Sequence, residues 1–257
     1  MQNHVQYDPY QQSQTPPPGT PVAVKLPGKK PNVTYVLIGV TVFFYILQIL
    51  SQSLSADGYD WPLLLGGKIN ELILQGQLWR LLTPALLHGS LVHIAFNMYA
   101  LFSLGTSLER YFGPFRFLLL YGIGAFCGNT LSFLLSPKVS IGASTAVFAL
   151  VAAEAVFIYR NRSLFGGRAR TMLSNLGLII AVNLVIGLQP GIDNWGHLGG
   201  LIGGAIFAWF AGPLMRMQTT FYGYELADTS SRRETFIGTL LAGGMFLVLL
   251  VIGLALN

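Results

Sequence analysis

The chain has 257 residues, 53% of them hydrophobic and only 10% charged, and its formal charge of +5 comes from 15 Lys and Arg against 10 Asp and Glu. Soluble domains carry about 25% charged residues, so this composition excludes an ordinary soluble globule. The single cysteine, Cys127, excludes a disulfide framework and a thiolate metal set, and basic residues scattered along the chain exclude a nucleic-acid patch.

Residues 1–32 are polar, rich in Gln and Pro, and hold Lys25, Lys29 and Lys30 near their end. No apolar core of a signal peptide follows the first residues, and no Arg of a transit peptide is present. The segment has too little apolar surface to order itself and reads as a disordered cytoplasmic tail. Seven apolar runs follow, near 33–54, 87–108, 114–135, 143–160, 172–189, 195–215 and 235–256. Each approaches the roughly 20 residues needed to cross about 30 Å of hydrocarbon with every backbone group satisfied internally. The stretch 55–80 is too polar to span and reads as a long first loop in the interface. The expectation is an all-α, polytopic membrane helix bundle, with six helices over 33–215 and a linker and seventh helix over 216–257. With the N-terminus in the cytoplasm, twelve of the 15 Lys and Arg fall inside, and only Lys68, Arg80 and Lys138 fall outside. This excess predicts an N-in, C-out topology and accounts for the basic residues as topology signals.

Ionisable residues within spans are expensive, so each invites a functional reading. His4 lies in the tail, whereas His88, His93 and His197 lie in spans or at their ends. Each alone reads first as a structural histidine bonded to a neighbouring helix. Together they are more informative. The second, fourth and sixth helices all enter from the outside, which delivers His88, His93, Asn97, Ser144 and His197 to one depth. His93 and Asn97 are four apart and share a helix face. The spacing of five between His88 and His93 does not suit zinc, and no carboxylate or cysteine lies at that level, so no metal is expected. Glu154 is the one clear intramembrane acid, about 15 Å beyond Ser144 at 1.5 Å per residue, which excludes a paired-aspartate site. It reads as a hydrogen-bonded structural acid or a proton site.

A serine nucleophile fits the remaining residues. Ser144 stands in Gly142-Ala143-Ser144-Thr145 at a helix start, where serine is also a common N-cap. Free backbone N–H groups and the helix dipole favour an anion there. Neutral His197 can take the serine proton, and Asn97, His93 and the Ser144 backbone N–H are suitable oxyanion donors.

These residues carry a resemblance. The run from His88 through His93 to Asn97 resembles the second-helix signature of rhomboid proteases. Gly142-Ala143-Ser144 is similar to their nucleophile motif, and Trp195-Gly196-His197-Leu198-Gly199-Gly200 to the motif of their catalytic histidine. Trp79-Arg80 and Glu109-Arg110 resemble two further motifs and read as structural. The resemblance covers about 60 to 215, with motif order and spacing agreeing. It implies a rhomboid-like six-helix core plus a seventh C-terminal helix, with Ser144 as nucleophile and His197 as general base, unaided by a third carboxylate. Asn97, His93 and the Ser144 amide would form the oxyanion hole, with His88, Gly142 and Gly200 in support. Phe148, four residues after Ser144, either stacks on His197 or packs toward lipid. Thr145 stands where the family commonly has Gly, and either crowds the oxyanion pocket or is harmless in a first turn. Gly200 and Gly204 form a G-x-x-x-G that lets the sixth helix approach the fourth.

The reaction implied is peptide-bond hydrolysis through an acyl-enzyme, in or near the transmembrane helix of a single-pass membrane protein in the bilayer. No cofactor is implied, and the site would open away from the cytoplasm, with the fifth helix moving to admit substrate. The lack of a transit sequence and the small size point to a prokaryotic plasma membrane. The rival readings are a catalytically inactive rhomboid-like protein that binds membrane clients, and a small transporter, which would want more deep charges or a repeated half.

Overall fold

The computed structural model describes residues 24–25, 30–220 and 223–256, so most of the polar tail, His4 included, lies outside the described residues. Its helices are α1 (Asn32–Leu54), α2 (Trp61–Gly66), α3 (Asn70–Leu74), α4 (Leu91–Leu135), α5 (Ser144–Arg160), α6 (Arg162–Phe165), α7 (Arg168–Ile186), α8 (Asn194–Ala211) and α9 (Arg232–Leu256). The all-α membrane bundle expected from the hydropathy is the fold found, and large apolar side chains such as Phe43, Phe96, Val185 and Leu247 cover its outside. In water that surface would drive association; on a multi-pass membrane protein it faces lipid.

The second and third expected passes form one 45-residue element, α4. They reverse at Gly113, whose φ of 74° lies in the left-handed region that a side chain disfavours. Pro114 follows, with no N–H to continue the ladder. Arg116 Nε donates to the Phe112 carbonyl at 2.8 Å and so holds the reversal. Among the described residues, α1, α4, α7 and α9 are long and apolar enough to cross a membrane; with α4 counted twice and the shorter α5 and α8 added, each of the seven expected passes has its helical segment.

Helix α5 is the centre of the bundle, and every residue from Thr145 to Ala153 is buried. Its 17 residues span only about 25 Å at 1.5 Å per residue, less than the hydrocarbon layer. Helix α8 lies against it through glycines on two faces. A Cβ on Gly200 would sit 2.1 Å from the Thr145 carbonyl oxygen, and one on Gly204 would sit 2.5 Å from Ala149 Cα. On the other face, Gly199 and Gly203 meet Cys127 of α4 at 2.5 and 2.6 Å in the same sense. Helix α7 is attached differently: Ala169 and Leu176 pack on Val151 and Ile158 of α5, while Leu178, Ile179, Val182 and Val185 are exposed.

Helix α1 buries only Thr34, Thr41 and Gln48, spaced seven apart and therefore on one face. Its first turn is closed by the buried Glu109 of α4. The carboxylate accepts from Val33 N at 2.9 Å, Thr34 N at 2.8 Å and Thr34 Oγ1 at 2.7 Å. A helix start leaves amides without partners, and an acidic side chain satisfies them with charge-assisted bonds.

The first loop is a folded unit. Helix α2 ends with unsatisfied carbonyls, as every helix does, and side chains from 79–83 bind them. Arg80 donates to Leu64 O and Gly67 O at 2.7 Å each, Trp79 Nε1 to Leu65 O at 3.1 Å and Thr83 Oγ1 to Gly66 O at 2.7 Å. The segment expected as a linker after the sixth helix contains a hairpin. Strands β2 (Met215–Thr220) and β3 (Gly223–Asp228) pair antiparallel, and β1 (Val24–Lys25) adds to β3 in parallel, in the order β1-β3-β2. Remote side chains fix it: Arg116 pairs with Asp228, and Asn161 donates to Pro213 O at 3.0 Å and accepts from Met215 N at 2.8 Å.

Candidate active site

Ser144 is the first residue of α5, and the segment that leads into it is held by the first loop. Lys68 and Ser140 exchange backbone hydrogen bonds of 3.0 and 3.1 Å, Gly142 N donates to Pro84 O at 2.9 Å, and Ala143 N donates to His88 Nε2 at 3.3 Å. Gly142 has φ 129°, and a Cβ there would lie 2.8 Å from the His93 ring. Conformation and space both demand glycine.

His197 lies in the first turn of α8. Asp193 caps that helix by accepting from Gly196 N at 3.1 Å and also accepts from Ser132 Oγ of α4. His197 Nε2 is 3.0 Å from Ser144 Oγ. The Phe148 ring stacks on the imidazole with centroids 4.3 Å apart and planes 17° from parallel. Phe148 is buried, which removes the lipid-facing alternative. For Nε2 to accept the serine proton, Nδ1 carries the ring hydrogen.

His88 and His93 stand edge to face, 4.9 Å between centroids. Asn97 lies one turn along α4 from His93 and donates Nδ2 to the His93 carbonyl at 3.0 Å. That bond uses one of its two amide hydrogens. Thus His88, His93, Gly142, Ser144, Phe148 and His197 form a continuous chain of contacts, with Asn97 joined to it through His93. Gly200 brings the α8 backbone against Thr145. The Thr145 side chain is buried and fills the α4–α8 seam, where a Cβ on Gly128 would meet Thr145 Cβ at 2.5 Å and one on Gly196 would meet its Cγ2 at 3.1 Å. It is taken up by helix packing. Glu154 is not part of this group, and its Oε2 is buried without a hydrogen-bond partner among the described residues.

Two contributors were not expected from the sequence. Gln48 of α1 accepts from His88 N at 2.9 Å and donates to Asp60 Oδ2 at 2.8 Å, while Asp60 Oδ1 caps α2 at Leu63 N. It ties the first pass to the histidine motif. Lys68, read only as a topology charge, is fully buried and donates Nζ to Ser136 O at 2.7 Å and Lys138 O at 2.9 Å. Burial pushes its ammonium down to about 8, against the smaller opposing pull of Asp193.

A family model described as the Rhomboid domain matches residues 75–214. The chain is 42% identical over 177 residues to rhomboid protease GluP of Bacillus subtilis, covering 68% of this chain and 34% of GluP. It is 32% identical over 200 residues to rhomboid protease AarA of Providencia stuartii, covering 69% of this chain and 70% of AarA. With RHOMBOID-like protein 9, chloroplastic, of Arabidopsis thaliana it shares 35% identity over 157 residues, 61% of this chain and 36% of that protein. The chain thus spans about a third of the length of GluP and of RHOMBOID-like protein 9.

Proposed function

We propose that this chain, which belongs to the rhomboid family, is an intramembrane serine endopeptidase with a Ser144–His197 dyad. The observation that carries the reading is the 3.0 Å approach of Ser144 Oγ to His197 Nε2 at the start of the short central helix. His197 takes the hydroxyl proton as Oγ attacks the scissile carbonyl. The oxyanion forms beside the Ser144 backbone N–H, with His93 and the free amide hydrogen of Asn97 as further donors. His197 then gives its proton to the leaving amine, and in the second half it activates the water that hydrolyses the acyl-enzyme. Phe148 holds the imidazole plane, and Gly142, His88 and Gly200 fix the backbones on which the dyad stands. The substrates are single-pass membrane proteins cut in or near their spanning helix. Residues 33–215 form the catalytic core in a prokaryotic plasma membrane, and the dyad opens on the side away from the cytoplasm, an orientation that the distribution of Lys and Arg supports.

The test is cleavage of a single-pass substrate in liposomes by wild type, Ser144→Ala and His197→Ala. Both substitutions are expected to abolish cleavage while leaving thermal unfolding near wild type. Cleavage that survives Ser144→Ala overturns the mechanism, and a wild type that cleaves none of several substrates moves the function to client binding.

A further inference from the structure

At the end of the bundle opposite Ser144, α5 finishes at Arg160 and α7 begins at Arg168, with α6 and Gly166-Gly167 between them. A cavity of about 790 Å³ opens in this corner, lined chiefly by Tyr159, Arg162, Ser163, Arg170, Leu173 and Ser174. Of the four arginines over 160–170 at this end, Arg160, Arg162 and Arg170 are used differently. Arg160 donates Nη1 to Ala208 O and Gly212 O and so serves the fold. Arg162 lies over the Tyr159 ring, 5.4 Å from its centroid, a contact that orients the guanidinium and consumes none of its donors. Among the described residues, the ion pair of Arg116 with Asp228 is the only one, so Arg162 and Arg170 are free of carboxylates, and the Ser163 and Ser174 hydroxyls make no hydrogen bond. Two guanidinium forks and two hydroxyls, all on exposed residues, therefore line one shallow, open depression without a protein acceptor among the described residues.

The depth of the site bears on its ligand. Tyr159 stacks on Trp209 of α8 at 6.1 Å, and such aromatic pairs at helix ends mark the level of lipid headgroups. Leu173, packed against the buried cluster of Val151, Ile158 and Leu176, adds an apolar wall. Arginine forks match the paired oxygens of a phosphate, and basic pockets between spanning helices at headgroup level take anionic lipids.

We infer that this cavity binds a phosphate ester, held by Arg162 and Arg170 with Ser163 and Ser174, as presented by the headgroup of an anionic phospholipid. The site is independent of Ser144 and His197.

The test uses the full chain in mixed micelles of equal phosphatidylglycerol and phosphatidylcholine, with retained lipid counted by native mass spectrometry. Wild type is expected to retain phosphatidylglycerol in preference. Arg162→Gln with Arg170→Gln is expected to lower that preference on the order of tenfold, the effect of losing charge-assisted bonds worth about 1.4 kcal/mol or more. Arg168→Gln removes an equal charge beside the cavity and is expected to retain the lipid as wild type does. Ser163→Ala with Ser174→Ala keeps every charge and is expected to weaken retention by a smaller factor, which decides the matter if the arginine variant misfolds. Bound phosphatidylglycerol that resists inorganic phosphate supports the headgroup as source, and displacement by phosphate supports a soluble phosphate ester at the same residues. No preference in wild type, an equal loss in Arg168→Gln, or no loss in either double variant overturns the site.

Discussion

Helix α8 meets its neighbours backbone to backbone, whereas α7 meets α5 through the tips of apolar side chains. Four of the five glycines of α8, Gly199, Gly200, Gly203 and Gly204, leave no room for a methyl group on either face, and His197 rides on this seam. Helix α7 turns Leu178, Ile179, Val182 and Val185 outward, and a Cβ on its Gly177 would meet nothing within 4 Å. One helix is seated by main-chain contact along its length; the other, apart from the bond Asn194 Nδ2 of α8 donates to Leu184 O near its end at 2.9 Å, is held by side-chain packing. A dyad that rides on the first kind of support has its backbone positions fixed by packing.

The sharpest way to break this comparison is to add the same side chain to both helices. Gly200→Val drives a Cβ into the Thr145 carbonyl and is expected to lower unfolding stability by about 3 kcal/mol or more and to abolish cleavage. Thermal unfolding in detergent and the liposome assay read both effects. A next, smaller effect concerns α1, which is held by a charge. Glu109→Gln replaces a carboxylate accepting three bonds and is expected to cost about 1–3 kcal/mol, read by the same unfolding measurement.

Lys68 supplies a pH test of the loop that holds the nucleophile segment. The folded chain releases this proton near pH 8, whereas an unfolded lysine holds it to about 10.4. Between those values the unfolded state binds more protons, so stability contributed by this group rises with pH across the window and is flat below it. Comparing unfolding of wild type and Lys68→Met across the window isolates the term; equal slopes for the two proteins count against it. The smallest effect expected is that of Gly177→Val in α7, within about 0.5 kcal/mol of wild type. A loss as large as that of Gly200→Val would remove the contrast between the helices.

The passes were legible because apolar length is a direct consequence of hydrocarbon thickness. The group His88, His93, Ser144 and His197 was legible because polar residues at one depth of several spans stand out. The reversal at Gly113-Pro114 was legible only as a gap between two runs, since hydropathy carries no dihedral angle. The hairpin was not legible: β2 exposes five of its six residues, so no alternation marks it, and its clamps Arg116 and Asn161 belong to distant elements. Gln48 and Lys68 were missed for a related reason. Their partners lie 40 and 68 residues away, and a single polar residue in an apolar run or a charged one in a loop gives no sign of such bonds.

The Glu109 cap has a consequence for how the chain is made. The carboxylate that closes α1 lies 75 and 76 residues after the amides it receives. At about 5–20 residues per second of synthesis, roughly 4–15 s separate the emergence of the first pass from that of its cap. During those seconds water or lipid headgroups must meet the leading amides. Helix α1 therefore takes its final place only after the ribosome has completed the following pass, and the chain seats this helix later than it makes it.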